Sequence, residues 1–342
     1  MLKLLIHYFS GTGNSLLAAK QLSVELAKYN IDVVFQAIED GPYPGSIDFD
    51  LHIFFFPVYA TATPHIMLAY LRNMPDGKGA KAAVISTNGR ISTRFRDGYQ
   101  GWALHQARLF LHLKNYDTFF SDTLDYPHNL TVFFPPRLER YNWEIITRAS
   151  SKIPLIAGKI ARQEIYHRRF FWPNIIWSFP FGILYSLVGR RVIGKLFGVD
   201  AACDSCGLCA SKCPVKAIKL IQGRLRWGWN CEGCQRCINI CPKQAIQLSA
   251  IRVLTFMGIV CLIPLYLSSW HIPFFFSSKL GSAGSMILYA PGGILSFTLL
   301  DYLLFKLSHL PVIRKIAGWG YTGFYGRYHA GQFESRLLNK DD

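Results

Sequence analysis

Tyr8-Phe9-Ser10-Gly11-Thr12-Gly13-Asn14-Ser15 decides the fold of the first half of this chain. Residues 2–9 are almost continuously apolar, the pattern of a strand buried on both faces of a parallel sheet. After the string, Leu16, Leu17, Leu22 and Leu26 recur at helical spacing. A glycine-rich turn between strand and helix lets backbone N–H groups approach an anion. Ser10, Thr12, Asn14 and Ser15 add side-chain donors, and the helix N-terminus adds its positive dipole end. A nucleoside triphosphate is excluded by the absence of a Walker lysine. The third glycine of a dinucleotide G-x-G-x-x-G would fall on Leu16, so that motif is unsupported. Taken alone, such a turn is also one that merely reverses a strand into a helix.

Working outward, apolar runs predict further strands at 33–37, 51–59, 80–86 and 118–124. Helical patterns lie at 64–72, 102–113 and 139–163. Strands alternating with helices predict a doubly wound parallel α/β sheet, with ligands bound beyond the carboxyl ends of the strands. Pro57-Val58-Tyr59-Ala60-Thr61 ends the third strand, and Thr87-Asn88-Gly89-Arg90 ends the fourth at the same edge. Tyr59 reads either as a ring-stacking aromatic or as an ordinary strand-end tyrosine. Phosphate donors in one loop and an aromatic in the next suit flavin mononucleotide (FMN).

Residues 1–160, chiefly through Tyr8–Ser15, resemble the flavodoxin family. The resemblance implies that Ser10, Gly11, Thr12, Gly13, Asn14 and Ser15 hold the FMN phosphate. Pro57, Val58, Tyr59, Ala60 and Thr61 would flank the isoalloxazine, with Thr87, Asn88 and Gly89 on its other side. Asn88 and Arg90 stand there in place of the family's usual aromatic.

All nine cysteines lie from Cys203 onward, eight of them between Cys203 and Cys241. A local cluster is the arrangement of a metal site rather than of a disulfide framework. Cys203-x2-Cys206-x2-Cys209-x3-Cys213-Pro214 recurs 28 residues later as Cys231-x2-Cys234-x2-Cys237-x3-Cys241-Pro242. The repeat continues past the cysteines, with Ala217-Ile218 answered by Ala245-Ile246. Zinc also uses C-x2-C pairs, but it leaves the third cysteine of each triplet unexplained. Residues 198–250 resemble two-cluster bacterial ferredoxins. The resemblance implies two [4Fe–4S] clusters: Cys203, Cys206 and Cys209 with Cys241, and Cys231, Cys234 and Cys237 with Cys213. Cys261 is left over and reads as a buried spectator.

The chain is 51% hydrophobic and only 17% charged, with a mean hydropathy of +0.19, which excludes intrinsic disorder. Its net charge of +16 is uneven: residues 157–342 carry 22 basic and 8 acidic side chains. The apolar runs lie in the same half. Residues 253–270 are uncharged, as are 282–300, and together they predict a transmembrane helical hairpin over 253–305 with both ends on the cytoplasmic side. Two buried helices of a soluble domain are the alternative. The uncharged segment 170–188, between Arg168-Arg169 and Arg190-Arg191, reads as membrane-interfacial or as a connector packed on two domains. Basic charge beside apolar runs points to membrane lipid, and nucleic acid is set aside even for the aromatic, basic tail.

The expected organisation is a flavodoxin-like domain (1–164), a basic connector (165–197), a ferredoxin-like domain (198–250), a membrane hairpin (251–306) and a tail (307–342). A flavodoxin-like domain preceding a two-cluster ferredoxin also resembles a known family of fusions. No export signal is read at the N-terminus, so both cofactor domains are expected in the cytoplasm, at the membrane. The expected function is electron transfer of oxidoreductase type between FMN and the clusters. It would serve a redox partner protein or a membrane acceptor such as a quinone or an unsaturated lipid. The alternative is a non-enzymatic carrier subunit on a larger membrane complex. No acid–base or nucleophilic catalytic set stands out.

Overall fold

The computed structural model describes residues 2–41, 49–90, 99–136, 138–169, 175–259, 294–328 and 330. Its first half is a six-stranded sheet of β1 (Leu2–Tyr8), β2 (Ile31–Ala37), β3 (Leu51–Pro57), β4 (Lys81–Arg90), β5 (Asp117–Pro127) and β6 (Tyr166–His167). The order is β2-β1-β3-β4-β5-β6, with every neighbouring pair parallel. That is the doubly wound order of flavodoxin-like sheets, whose ligand crevice opens where β1 meets β3. Helices α1 (Asn14–Ala27) and α4 (Glu139–Ala161) cover one face, and α2 (His65–Arg72) and α3 (Ala103–His112) the other. The central strand β3 is buried along its whole length, as its apolar run requires.

Two details depart from expectation. Thr87-Asn88-Gly89-Arg90 is not a loop but the end of β4. β5 runs equally far, so the ladder continues from Thr87↔Leu124 to Arg90↔Pro127, and Arg90 pairs with Asp125 at 3.7 Å. The edge strand β6 is unforeseen, because its two residues are too short to show alternation.

The connector packs as α5 (Ile175–Leu184), a single π turn (Tyr185–Gly189) and α6 (Arg190–Leu196). Only the small residues Ser178 and Gly182 of α5 are buried. They let the helix lie against the turn after β3, where the Thr61 hydroxyl donates to the Ser178 carbonyl at 2.8 Å. The buried side of α5 thus lies against the N-terminal domain, and its other side is exposed. Residues 170–174 lie outside the described residues.

The cysteine-bearing domain holds β7 (Phe197–Val199) antiparallel to β10 (Ile246–Leu248), and the hairpin β8 (Ile218–Ile221) with β9 (Arg224–Trp227). Short helices α7 (Leu208–Ser211) and α8 (Arg236–Ile240) follow the two cysteine triplets. Helices α9 (Ala250–Met257), α10 (294–307) and α11 (Pro311–Gly318) pack against this domain.

Most of the expected hairpin, with Cys261, falls in 260–293, outside the described residues. Among the described residues no helix is long and apolar enough to cross a membrane. At 294–305 the structure departs from a span surrounded by lipid. Phe297, Asp301 and Phe305 form a buried stripe on α10 facing the cysteine domain. Asp301 pairs there with Lys195 at 2.8 Å and with Arg252. The helix is docked because this carboxylate is the counter-charge of two buried cations.

Candidate cofactor sites at the domain interface

The 10–15 loop sits at the carboxyl edge of the sheet, and every residue of it is buried. Gly13 begins α1 in the left-handed region (φ 94°), which suits glycine. Three of the four expected side-chain donors are already engaged. Asn14 donates to the Pro127 carbonyl at 2.8 Å and accepts from the Tyr328 hydroxyl at 2.6 Å. Ser15 shares a 2.7 Å hydrogen bond with Thr87, and the Ser10 hydroxyl accepts from the Leu16 N–H. The Thr12 hydroxyl is buried without a partner. Tyr59 also keeps a buried, unpartnered hydroxyl, its ring edge-on to Phe9 at 6.2 Å. Burial holds that phenol protonated, its pKa well above the ordinary value. Two orphaned hydroxyls beside the start of a 14-residue helix fit the phosphate-bearing end of a flavin nucleotide.

The turn after β3 is pinned from two sides. Val58 N–H donates to Thr87 O at 2.9 Å, and Trp102 N–H donates to Thr61 O at 3.0 Å. Ala60 (φ 45°) and Thr61 (φ 71°) both take left-handed backbone. Gly89 allows the backbone of His128 to come close; a Cβ there would lie 3.3 Å from its Cα. Pro57 to Thr61, Thr87 to Gly89 and the 10–15 loop thus converge at one edge.

The eight clustered cysteines form two groups. Cys203, Cys206, Cys209 and Cys241 line one cavity together. Burial pushes the Cys209 thiol up to about 12, helped by Cys241, Cys203 and Cys206. Burial also pushes Cys231 up to about 12, with Cys213 and Glu232 adding to the rise. Cys234 is raised in the same way, with Cys231 and Cys213 contributing. The free thiols of Cys209, Cys231 and Cys234 therefore hold their protons, and a bound metal has to displace them. Among the described residues no three Cys, His, Asp or Glu close around a single ion. Thiols spread around a cavity suit a polynuclear cluster better than one zinc, whose bonds are about 2.3 Å long.

The second triplet is also the seam between the domains. A Cβ on Gly11 would meet the Tyr59 hydroxyl at 2.4 Å and the Cys234 carbonyl at 2.7 Å. Glycine is thus required where the cysteine loop rests on the 10–15 loop. Arg236 reaches Glu39 with two N–H groups, at 2.7 and 2.8 Å, and donates to the Ser10 carbonyl at 2.7 Å. Gln235 accepts from Val132 N–H at 3.3 Å. Glu232 is buried near the start of α2, where the backbone N–H groups of His65 and Ile66 favour its ionised form. Desolvation raises the Glu232 carboxyl to about 7 against the opposing pull of Arg190, 3.7 Å away. Sequence reasoning missed Glu39, Glu232, Arg236 and Tyr328. The available signal was Gln235-Arg236 in the second triplet, where the first has Gly207-Leu208.

Residues 196–242 match a family described as a 4Fe-4S dicluster domain. The chain matches none of the curated proteins. Among solved structures it is similar to oxidised flavodoxin 2 from Bacillus cereus, at 18% identity and TM-score 0.34 over 47% of this chain and 99% of that one. A flavodoxin variant from Pseudomonas aeruginosa gives 10% identity and TM-score 0.34 over 47% and 98%. A Streptococcus pneumoniae flavodoxin gives 15% and 0.32 over 46% and 99%.

Proposed function

We propose that this chain is a flavo-iron–sulfur electron-transfer protein. In this reading FMN is held at the 10–15 loop, and two [4Fe–4S] clusters are held by Cys203, Cys206, Cys209, Cys241 and by Cys231, Cys234, Cys237, Cys213. One observation carries it: the Cys234 loop rests directly on Gly11, so the two candidate sites share a wall. Bound there, FMN supplies exchange of electrons singly or in pairs, which the one-electron clusters can match. The protein's part is placement. Thr12 and the first N–H groups of α1 would hold an anion, Tyr59 and Cys234 close the space over Gly11, and Arg236 and Gln235 lock the cysteine loop to the N-terminal domain. Water is kept from this seam, since residues 231–240 are all buried.

Anaerobic purification from membranes with flavin and iron analysis and a spectroscopic redox titration tests the reading. FMN and about eight irons per chain are expected, the content of two cubanes. A protein without flavin, or with no more iron than one cluster needs, overturns it.

Attachment to an anionic membrane surface is the second part of the proposal. It is supported by the outer side of α5, where Trp177 is 78% and Leu184 61% exposed. Arg169 and Arg191 flank this apolar stretch. The acceptor would then be membrane-borne, a quinone or an unsaturated lipid. Turnover only in the presence of a partner complex would instead assign a carrier subunit.

A further inference from the structure

The two cysteine sets lie in opposite surroundings. Around the second, Cys231, Cys234 and Cys237 are buried and Cys213 is partly exposed, and the spacers Gln235 and Arg236 grip the N-terminal domain. Around the first, Asp204 and Cys206 are exposed, and Cys203 and Cys241 are partly so. Leu220 (42% exposed) and Ile221 (36%) stand beside this site, with Leu220 against Gly207. Its rim is basic. Lys243 lines the shared cavity, and Arg314 donates to the Cys203 carbonyl at 2.9 Å.

We infer that the Cys203–Cys206–Cys209–Cys241 site is the port through which this chain exchanges electrons with a one-electron carrier protein bearing an acidic docking face. The Cys231–Cys234–Cys237–Cys213 site, with three of its four cysteines buried, is the less accessible of the two and connects inward to the 10–15 loop. This rests on the two-cluster reading above. A small apolar patch inside a charged rim suits a weak, transient encounter, and the basic charge steers an acidic partner. The exchange is a bare one-electron step: the carrier is oxidised as the port site is reduced, or the reverse, and no proton or bond moves. Exposed Cys206 offers a short path from solution, whereas no cysteine of the second set is fully exposed.

The test uses the full chain, purified anaerobically. Its iron content comes first, because fewer than about eight irons defeats the two-cluster reading itself. On the eight-iron protein, a gadolinium chelate in solution is expected to speed the spin relaxation of one reduced-cluster signal and spare the other. Equal response of both signals overturns the port. The location is checked by charge reversal. With a reduced acidic ferredoxin as probe, Lys243→Glu is expected to slow reduction roughly tenfold at low salt and to flatten its salt dependence. Lys152→Glu, on α4 of the other domain, is expected to leave both unchanged. A Lys243→Glu protein that keeps its irons and the wild-type rate also overturns the port.

Discussion

Arg236 and Glu39, 197 residues apart in sequence, are joined by two hydrogen bonds of 2.7 and 2.8 Å across the domain seam. The guanidinium is 5% exposed and the carboxylate 24%. Bidentate pairing is geometry that arginine provides and lysine does not. Arg236→Met is expected to cost about 2–3 kcal/mol of stability, less than a fully buried pair because Glu39 still reaches water. The measurement is denaturant unfolding of the iron-loaded protein. An unchanged midpoint would show that the domains do not depend on this clamp.

Gly11→Ala tests the contact between the loops. The added Cβ has no room beside the Cys234 carbonyl, which is backbone and cannot swing aside. Overpacking of this kind costs about 1–3 kcal/mol. We expect that loss together with looser docking, seen as faster proteolysis between the domains. A variant as stable as the parent, with unchanged proteolysis, would contradict the close approach.

Thr12→Val separates folding from binding. The Thr12 hydroxyl is buried without a partner, so replacing it by a methyl group leaves the unliganded protein as stable or more so. If the hydroxyl serves the flavin phosphate, FMN affinity falls about tenfold, the worth of one hydrogen bond to a charged group. Fluorescence titration of FMN and thermal unfolding of the FMN-free protein check the two halves. Lower stability with unaltered affinity would assign Thr12 to packing.

The sheet was legible because its strands are long apolar runs separated by helical periodicity, and the loop because glycine and hydroxyl residues crowd one strand end. The extension of β4 through Arg90 was not, since Thr87-Asn88-Gly89 is turn-like in composition and becomes strand only because β5 lies beside it. The convergence of Cys203, Cys206, Cys209 and Cys241 on one cavity was suggested by the spacing of the cysteines. The seam was not: Glu39, Arg236 and Tyr328 carry no local pattern, and each acquires its role from a partner far along the chain. Asp301 looked like an interruption of an apolar run and is instead the residue that docks α10.

Acid sensitivity follows from two histidines inside the sheet domain. His7 bridges the Tyr70 hydroxyl at 2.7 Å and His52 at 3.0 Å, and both rings are buried. Desolvation lowers His52 from 6.5 to about 4, and it lowers His7 as well, with His52 adding to that shift. The folded state therefore excludes protons that the unfolded chain binds below pH 6.5. Stability is complete above that pH and falls as pH drops toward 4, by about 3 kcal/mol from His52 alone. His52→Phe is expected to flatten this slope relative to the parent, a comparison in which acid loss of metal is common to both proteins. Identical slopes would remove the histidines as the cause.

Asp301 answers two cations at once. Lys195 and Arg252 are buried beside it, and Lys195 also lies over the Trp229 ring at 5.3 Å. Neutralising the carboxylate with Asp301→Asn preserves shape and strands both positive charges in a dry site. Removing one member of a buried ionic set costs about 3–5 kcal/mol. The loss should first free α10, because Phe297 and Phe305 are the only other fully buried side chains along its described length. Limited proteolysis within 294–307 should rise several-fold, while cleavage in the sheet domain stays at the parent rate. A Lys195→Met, Arg252→Met, Asp301→Leu triple variant should recover most of the stability, as apolar replacement of a whole buried ionic cluster does. If the single variant proves as resistant as the parent, Asp301 does not hold the helix, and apolar packing alone accounts for the docking.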